Sequence, residues 1–257
     1  MGTTTKLHLI VAALALLAGT MPAVAGPTQP VKNIVLVHGA FADGSSWTKV
    51  IAILQAKGYN VTAVQMPLTS LADDVAATNR VLARQTGPVI LVGHSWGGAV
   101  ITEAGGDPRV VGLVYVAAFA PESDEVIGDL GKGYPPPPTF AAPIIDKQGF
   151  MSLSSETISK HFAWDVSPAE ARVLAATQGP IATSAFGTKV SNVAWKTKPS
   201  WYIVATKDQA IAPDEERFFA KRIKATTTEL DTSHVPMLSK PKDVSAVIMD
   251  AAAKAPH

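Results

Sequence analysis

The chain has 257 residues, no cysteine, 47% hydrophobic and 17% charged residues, and a formal net charge of +1. That length and apolar content suit one globular domain with a large core and exclude extended disorder. Balanced charge leaves no basic excess to attract a nucleic acid partner, and the lack of cysteine excludes disulfides, lipoprotein attachment, thiol nucleophiles and Cys-rich metal sites.

Residues 1–25 read as a secretory signal: Lys6 supplies the positive region, 7–18 the apolar core, and Ala23-Val24-Ala25 the small residues for cleavage before Gly26. The apolar run is shorter than the ~20 residues a bilayer requires, so no stable membrane insertion is expected after cleavage. The mature domain, 26–257, is expected to be secreted or periplasmic. Within it, strands are predicted at 34–37, 61–66, 89–92, 110–117, 201–205 and 226–230. Helices are predicted at 47–57, 71–85, 99–104, 213–223 and 241–252, with Ser70 and Asp73 as a capping pair for the second. Mostly continuous apolar strands alternating with helices predict an α/β fold, a parallel sheet covered on both faces. Between about 120 and 198 the alternation breaks. This segment carries four consecutive prolines from Pro135, several aromatic residues and helices predicted at 155–162 and 168–177. It reads as a small, mostly helical cap inserted over the sheet, the alternative being a loop-rich extension whose aromatics fill a satellite core.

Gly93-His94-Ser95-Trp96-Gly97 follows the third strand and precedes a helix. A G-x-S-x-G sequence in that position predicts a strained strand-to-helix turn that raises the Ser95 hydroxyl above the sheet, with glycines where side chains would collide. A serine hydroxyl needs a base, and the base a partner that fixes its tautomer. Loops beyond the ends of the last two strands carry Asp208 and His234, in the chain order expected of such a triad. Asp231 and Asp124 compete with Asp208 for the acid. Of the other histidines, His8 lies in the signal segment and His257 at the terminus. His161 is expected to be solvated, and His38 and His94 to hold loops at strand ends. The amide of Trp96 is predicted to donate to the oxyanion, joined by that of Ala40, with Phe41 as the alternative. Phe41, Phe140, Phe162 and Trp164 are candidate substrate contacts.

These residues, together with Val35-Leu36-Val37-His38-Gly39-Ala40, Gly98 and Ser233, resemble the α/β-hydrolase superfamily over essentially the whole mature chain. The chain is most similar to small bacterial carboxylesterases and the plant methylesterase and hydroxynitrile lyase branch. The resemblance implies a doubly wound, mainly parallel six-stranded sheet and ester hydrolysis through an acyl-enzyme, with no metal and no organic cofactor. The lyases place Thr where this chain has Gly39 and Lys where it has Val235, which favours hydrolysis here. The expected partner is a small to medium apolar carboxylic ester, and no oligomeric state is specified. Lactonase, perhydrolase or aminopeptidase-type acyl transfer on the same triad, and a slow-turnover ligand-binding protein, are the competing readings. With His234 as base, activity is expected to fall as pH drops through the ordinary imidazole range near ~6.5.

Overall fold

The computed structural model describes residues 1–2 and 31–256. Residues 3–25 of the predicted signal segment, His8 among them, and His257 therefore lie outside the described residues. The strands are β1 (Asn33–Val37), β2 (Asn60–Ala63), β3 (Val89–His94), β4 (Val110–Val116), β5 (Ile144–Ile145), β6 (Phe150–Ser152), β7 (Ile181–Ala182), β8 (Ser200–Ala205) and β9 (Thr226–Leu230). The helices are α1 (Thr48–Ala56), α2 (Leu71–Leu82), α3 (Trp96–Ala104), α4 (Ser155–Thr157), α5 (Pro168–Thr177), α6 (Pro213–Arg222), α7 (Pro236–Ser239) and α8 (Pro241–Lys254).

Six strands form one sheet in the order β2-β1-β3-β4-β8-β9, every pairing parallel. All residues of β1, β3 and β8 are buried. The near-continuous Val, Ile and Leu content of β1 and β3, and the Trp-Tyr-Ile-Val run of β8, are what a strand needs when both of its faces are covered. Each fully buried side chain of that size contributes roughly 1.5–3 kcal/mol. The edge strand β9 is mostly exposed and correspondingly rich in Thr. The register pairs Val37 with Gly93, His94 with Val116 and Ala205 with Leu230. The loops leaving β1, β3, β8 and β9 thus emerge along one rim of the sheet.

Several boundaries differ from expectation for identifiable reasons. The second strand ends at Ala63; beyond it the Val64 amide still donates to the Leu36 carbonyl, and the Met66 amide leaves the ladder to donate to the His38 ring at Nε2. Helix α3 begins at Trp96, directly after the nucleophile candidate, three residues earlier than predicted. Helix α2 starts with the predicted cap, the Asp73 amide donating to Ser70 Oγ at 3.0 Å, and stops at Leu82. Trp47 belongs to a 3₁₀ turn ahead of α1.

Between β4 and β8, the expected helices are accompanied by an antiparallel sheet in the order β5-β6-β7. Strands of two or three residues are too short to leave a periodic trace in sequence. Residues 158–162, following α4, take π-helical geometry. This segment is tied to the main domain by Ala182, whose amide donates to the Leu68 carbonyl, and by Gly179, whose amide donates to the carbonyl of Ala42.

Candidate active site

Ser95 sits between β3 and α3 with φ 52° and ψ −120°, a left-handed conformation that costs a non-glycine residue about 1–3 kcal/mol and persists only where its surroundings enforce it. Neighbouring glycines make the turn possible. A Cβ on Gly93 would stand 2.5 Å from the Gly97 carbonyl oxygen, and one on Gly97 would stand 2.7 Å from the carbonyls of Val37 and His38. The backbone of Ser95 is fully engaged: its amide donates to Val116 O, while its carbonyl accepts from the amides of Gly98 and Phe119. Ser95 keeps 8% of its surface exposed. Its hydroxyl forms no hydrogen bond among the described residues.

His234 follows β9 and is 1% exposed. Its Nδ1 lies 2.5 Å from Asp208 Oδ2, so the buried carboxylate holds the ring with Nδ1 protonated and Nε2 free. Asp208 is itself held by the amides of Ala210 and Ile211, which donate to Oδ1 at 2.6 and 3.1 Å. Of the competing acids, Asp231 is exposed at the end of β9. Asp124 lines a separate cavity of about 510 Å³ with Glu125, Phe218 and Arg222. Only Asp208 among the three meets His234.

His94 links the elbow to the His234 loop. Its Nε2 donates to the His234 carbonyl at 2.8 Å, which leaves Nδ1 as a buried acceptor without a partner among the described residues. Burial above all, then the neighbouring His234 and His38, holds its basicity well below the ordinary imidazole range, so His94 is neutral. His38 likewise donates from Nδ1 to its neighbour Gly39 at 2.8 Å and accepts the Met66 amide, and burial lowers it. Both rings hold loops. His161, expected to be solvated, is instead half-buried and bonded through Nδ1 to Gln209 Oε1 at 2.6 Å.

For the oxyanion, the loop after β1 offers two amides. That of Phe41 is engaged, donating to Gly179 O at 3.3 Å, whereas that of Ala40 has no partner among the described residues. The Trp96 amide opens α3, where the first N–H groups have no intrahelical acceptor. Phe41, with φ 58°, is buried edge-on to Phe162 at 6.2 Å and tilted against Phe140 at 6.0 Å. Phe162 in turn stacks edge-on to His234 at 4.8 Å. Phe140 is partly exposed, so a path of aromatic rings runs from the surface to His234. Trp164 stands apart, 40% exposed, its indole reaching towards the Lys207 carbonyl at 3.4 Å.

Two carboxylates of the site escape sequence reading. Asp165, from the inserted segment, accepts both the amide and the hydroxyl of Ser233 at 2.9 and 2.5 Å, fixing the residue before His234. Asp74, buried on α2, accepts the Trp96 indole N–H and the Leu68 amide, both at 2.8 Å. Burial pushes its carboxyl up to about 6 against the pull of those two donors.

Residues 34–247 match the model of the alpha/beta hydrolase family. The chain is 28% identical over 250 residues to a pyrethroid hydrolase of Sphingobium wenxiniae, covering 86% of this chain and 88% of that one. It is 27% identical over 255 residues to methylesterase 7 of Arabidopsis thaliana, covering 87% and 97%. A crystal structure of a pyrethroid hydrolase from Sphingobium faniae superimposes with a TM-score of 0.75 at 25% identity, covering 87% of this chain and 98% of that one.

Proposed function

This chain belongs to the alpha/beta hydrolase family, and we propose that it is a serine-dependent carboxylic ester hydrolase acting on small to medium apolar esters. Ser95 Oγ attacks the ester carbonyl as Nε2 of His234 takes its proton. Asp208 keeps Nδ1–H oriented and stabilises the imidazolium that forms. The amides of Ala40 and Trp96 receive the negative oxygen of the tetrahedral intermediate. The intermediate collapses to an acyl-Ser95 enzyme as the imidazolium returns its proton to the departing alcohol, and water then repeats the sequence to release the acid. The observation that carries this reading is the buried Asp208–His234 hydrogen bond, on a loop tied through His94 to the strained Ser95 turn.

The rings of Phe140, Phe41 and Phe162 favour an apolar acyl or alcohol group, since they offer area without charge. Names of the relatives agree with that chemistry: one is a pyrethroid hydrolase, another a methylesterase. The predicted signal segment adds that the enzyme works outside the cytoplasm.

Steady-state hydrolysis of chromogenic esters of increasing acyl length, with Ser95→Ala alongside, tests the proposal. We expect turnover with an optimum in acyl length and a loss of at least about a thousandfold in the variant. Retention of activity in Ser95→Ala, or no turnover of any ester by the folded protein, would reject it.

A further inference from the structure

Behind the candidate triad acid lies a second buried carboxyl that ester hydrolysis as described does not use. Glu216, in the first turn of α6, is 0% exposed. One of its oxygens, Oε2, accepts the Ala205 amide at 2.9 Å, while Oε1 is buried with no donor to accept from among the described residues. Ala205 ends β8, three residues before Asp208, and the Glu216 carboxyl stands within hydrogen-bond reach of Asp208. Two carboxylates cannot bond to one another unless one carries a proton.

Counting donors decides which one does. Asp208 receives three, from Ala210, Ile211 and His234, whereas Glu216 receives one. The titratable groups facing Glu216 are Asp208 and Tyr202 from β8 and its loop and Glu215 from its own helix, with His234 beyond Asp208. The Tyr202 phenol is committed to the Ala118 carbonyl. No lysine or arginine pairs with Glu216 among the described residues. The N-terminus of α6 favours an anion, yet that effect is weak beside complete burial next to an existing negative charge.

We propose that Glu216 is a neutral carboxylic acid at working pH whose O–H donates to the Asp208 carboxylate, making it a positioning residue that fixes the acid behind His234. The proton stays on Glu216 throughout turnover, and the single negative charge stays on Asp208. Burial, reinforced by the Asp208 charge, pushes the Glu216 carboxyl well above the usual carboxylate range, in agreement with this assignment. Its catalytic consequence rests on the ester-hydrolase reading, while its protonation state does not.

The test therefore has two arms on the full chain. In the first, infrared spectra are recorded at about pH 8.5, above the values of about 7 for Glu215 and about 6 for Asp74, so that both of those are ionised. The wild-type minus Glu216→Gln difference is expected to show the carbonyl stretch of a protonated carboxylic acid, and its absence overturns the proposal. In the second arm, Glu216→Gln, a neutral group able to donate and accept in the same places, is expected to keep kcat and leave the acid limb of the pH–rate profile unmoved. Glu216→Ala is expected to lower kcat about tenfold at unchanged KM. An acid limb displaced to lower pH in Glu216→Gln would mean that the glutamate had been an anion, and would overturn the proposal. Should no ester be hydrolysed at all, the proposed function fails while the infrared arm still decides the state of Glu216.

Discussion

The imidazole of His94 donates from Nε2 to the backbone carbonyl of His234 at 2.8 Å, and the two rings lie 4.8 Å apart. The residue preceding the proposed nucleophile therefore holds the main chain of the proposed base, across 140 residues of sequence. Replacing His94 by Phe keeps a ring and removes the donor. We expect kcat on an ester substrate to fall about tenfold with KM little changed, because the lost bond orients the base and does not touch substrate. Unchanged kcat would show that the His234 loop holds its place without it.

Asp165 serves the same loop from the opposite side, accepting two hydrogen bonds from Ser233. Asp165→Ala leaves a buried amide and a buried hydroxyl unpaired, and should cost about 1–3 kcal/mol in urea unfolding together with a fall in kcat. Asp165→Asn, which keeps an acceptor for one of the two donors, should recover part of both. Equal losses in the two variants would assign Asp165 a role that depends on its charge.

Gly93→Ala places a methyl group against the Gly97 carbonyl, backbone against which nothing can turn aside. The elbow must open to admit it. We expect destabilisation of about 3 kcal/mol by urea unfolding and loss of ester hydrolysis. A variant of wild-type stability would contradict the close approach that defines the turn.

Glu215, beside Glu216, is pushed up to about 7 by burial and then by the charge of Asp208. Its folded-state value lies above the ordinary 4.5 of an unfolded chain, so the native state binds the proton more tightly. The resulting contribution to stability is complete below about 4.5 and is lost as pH rises through about 7. Glu215→Gln cannot ionise, so its stability relative to wild type should rise between about pH 5 and about pH 8, read from urea unfolding at each. A difference independent of pH would place Glu215 in water.

The parallel sheet was legible because strands buried on both faces are written as continuous apolar runs. The Ser95 turn was legible for another reason: its geometry is set by glycines within a few residues. Asp208 and His234 followed from their places just beyond the ends of β8 and β9, where such a fold gathers its functional loops. Asp74, Asp165 and Glu216 carry no comparable local mark. Each meets its partner only after folding, Asp165 reaching Ser233 across 68 residues and Asp74 reaching Trp96 across 22. An isolated acidic residue on a helix reads as a solvated one until the fold buries it. Sequence leaves the choice between the Ala40 and Phe41 amides open for the same reason: the acceptor of the Phe41 amide, Gly179, lies far along the chain.

Labelling with a fluorophosphonate, which reacts with activated serine nucleophiles, tests the central claim most directly. Mass spectrometry of the digested protein should find a single adduct, on Ser95, formed in proportion to the loss of ester hydrolysis and absent from the His234→Ala variant. Labelling at another serine, or full ester hydrolysis by protein labelled at Ser95, would contradict the assignment of Ser95 as the nucleophile.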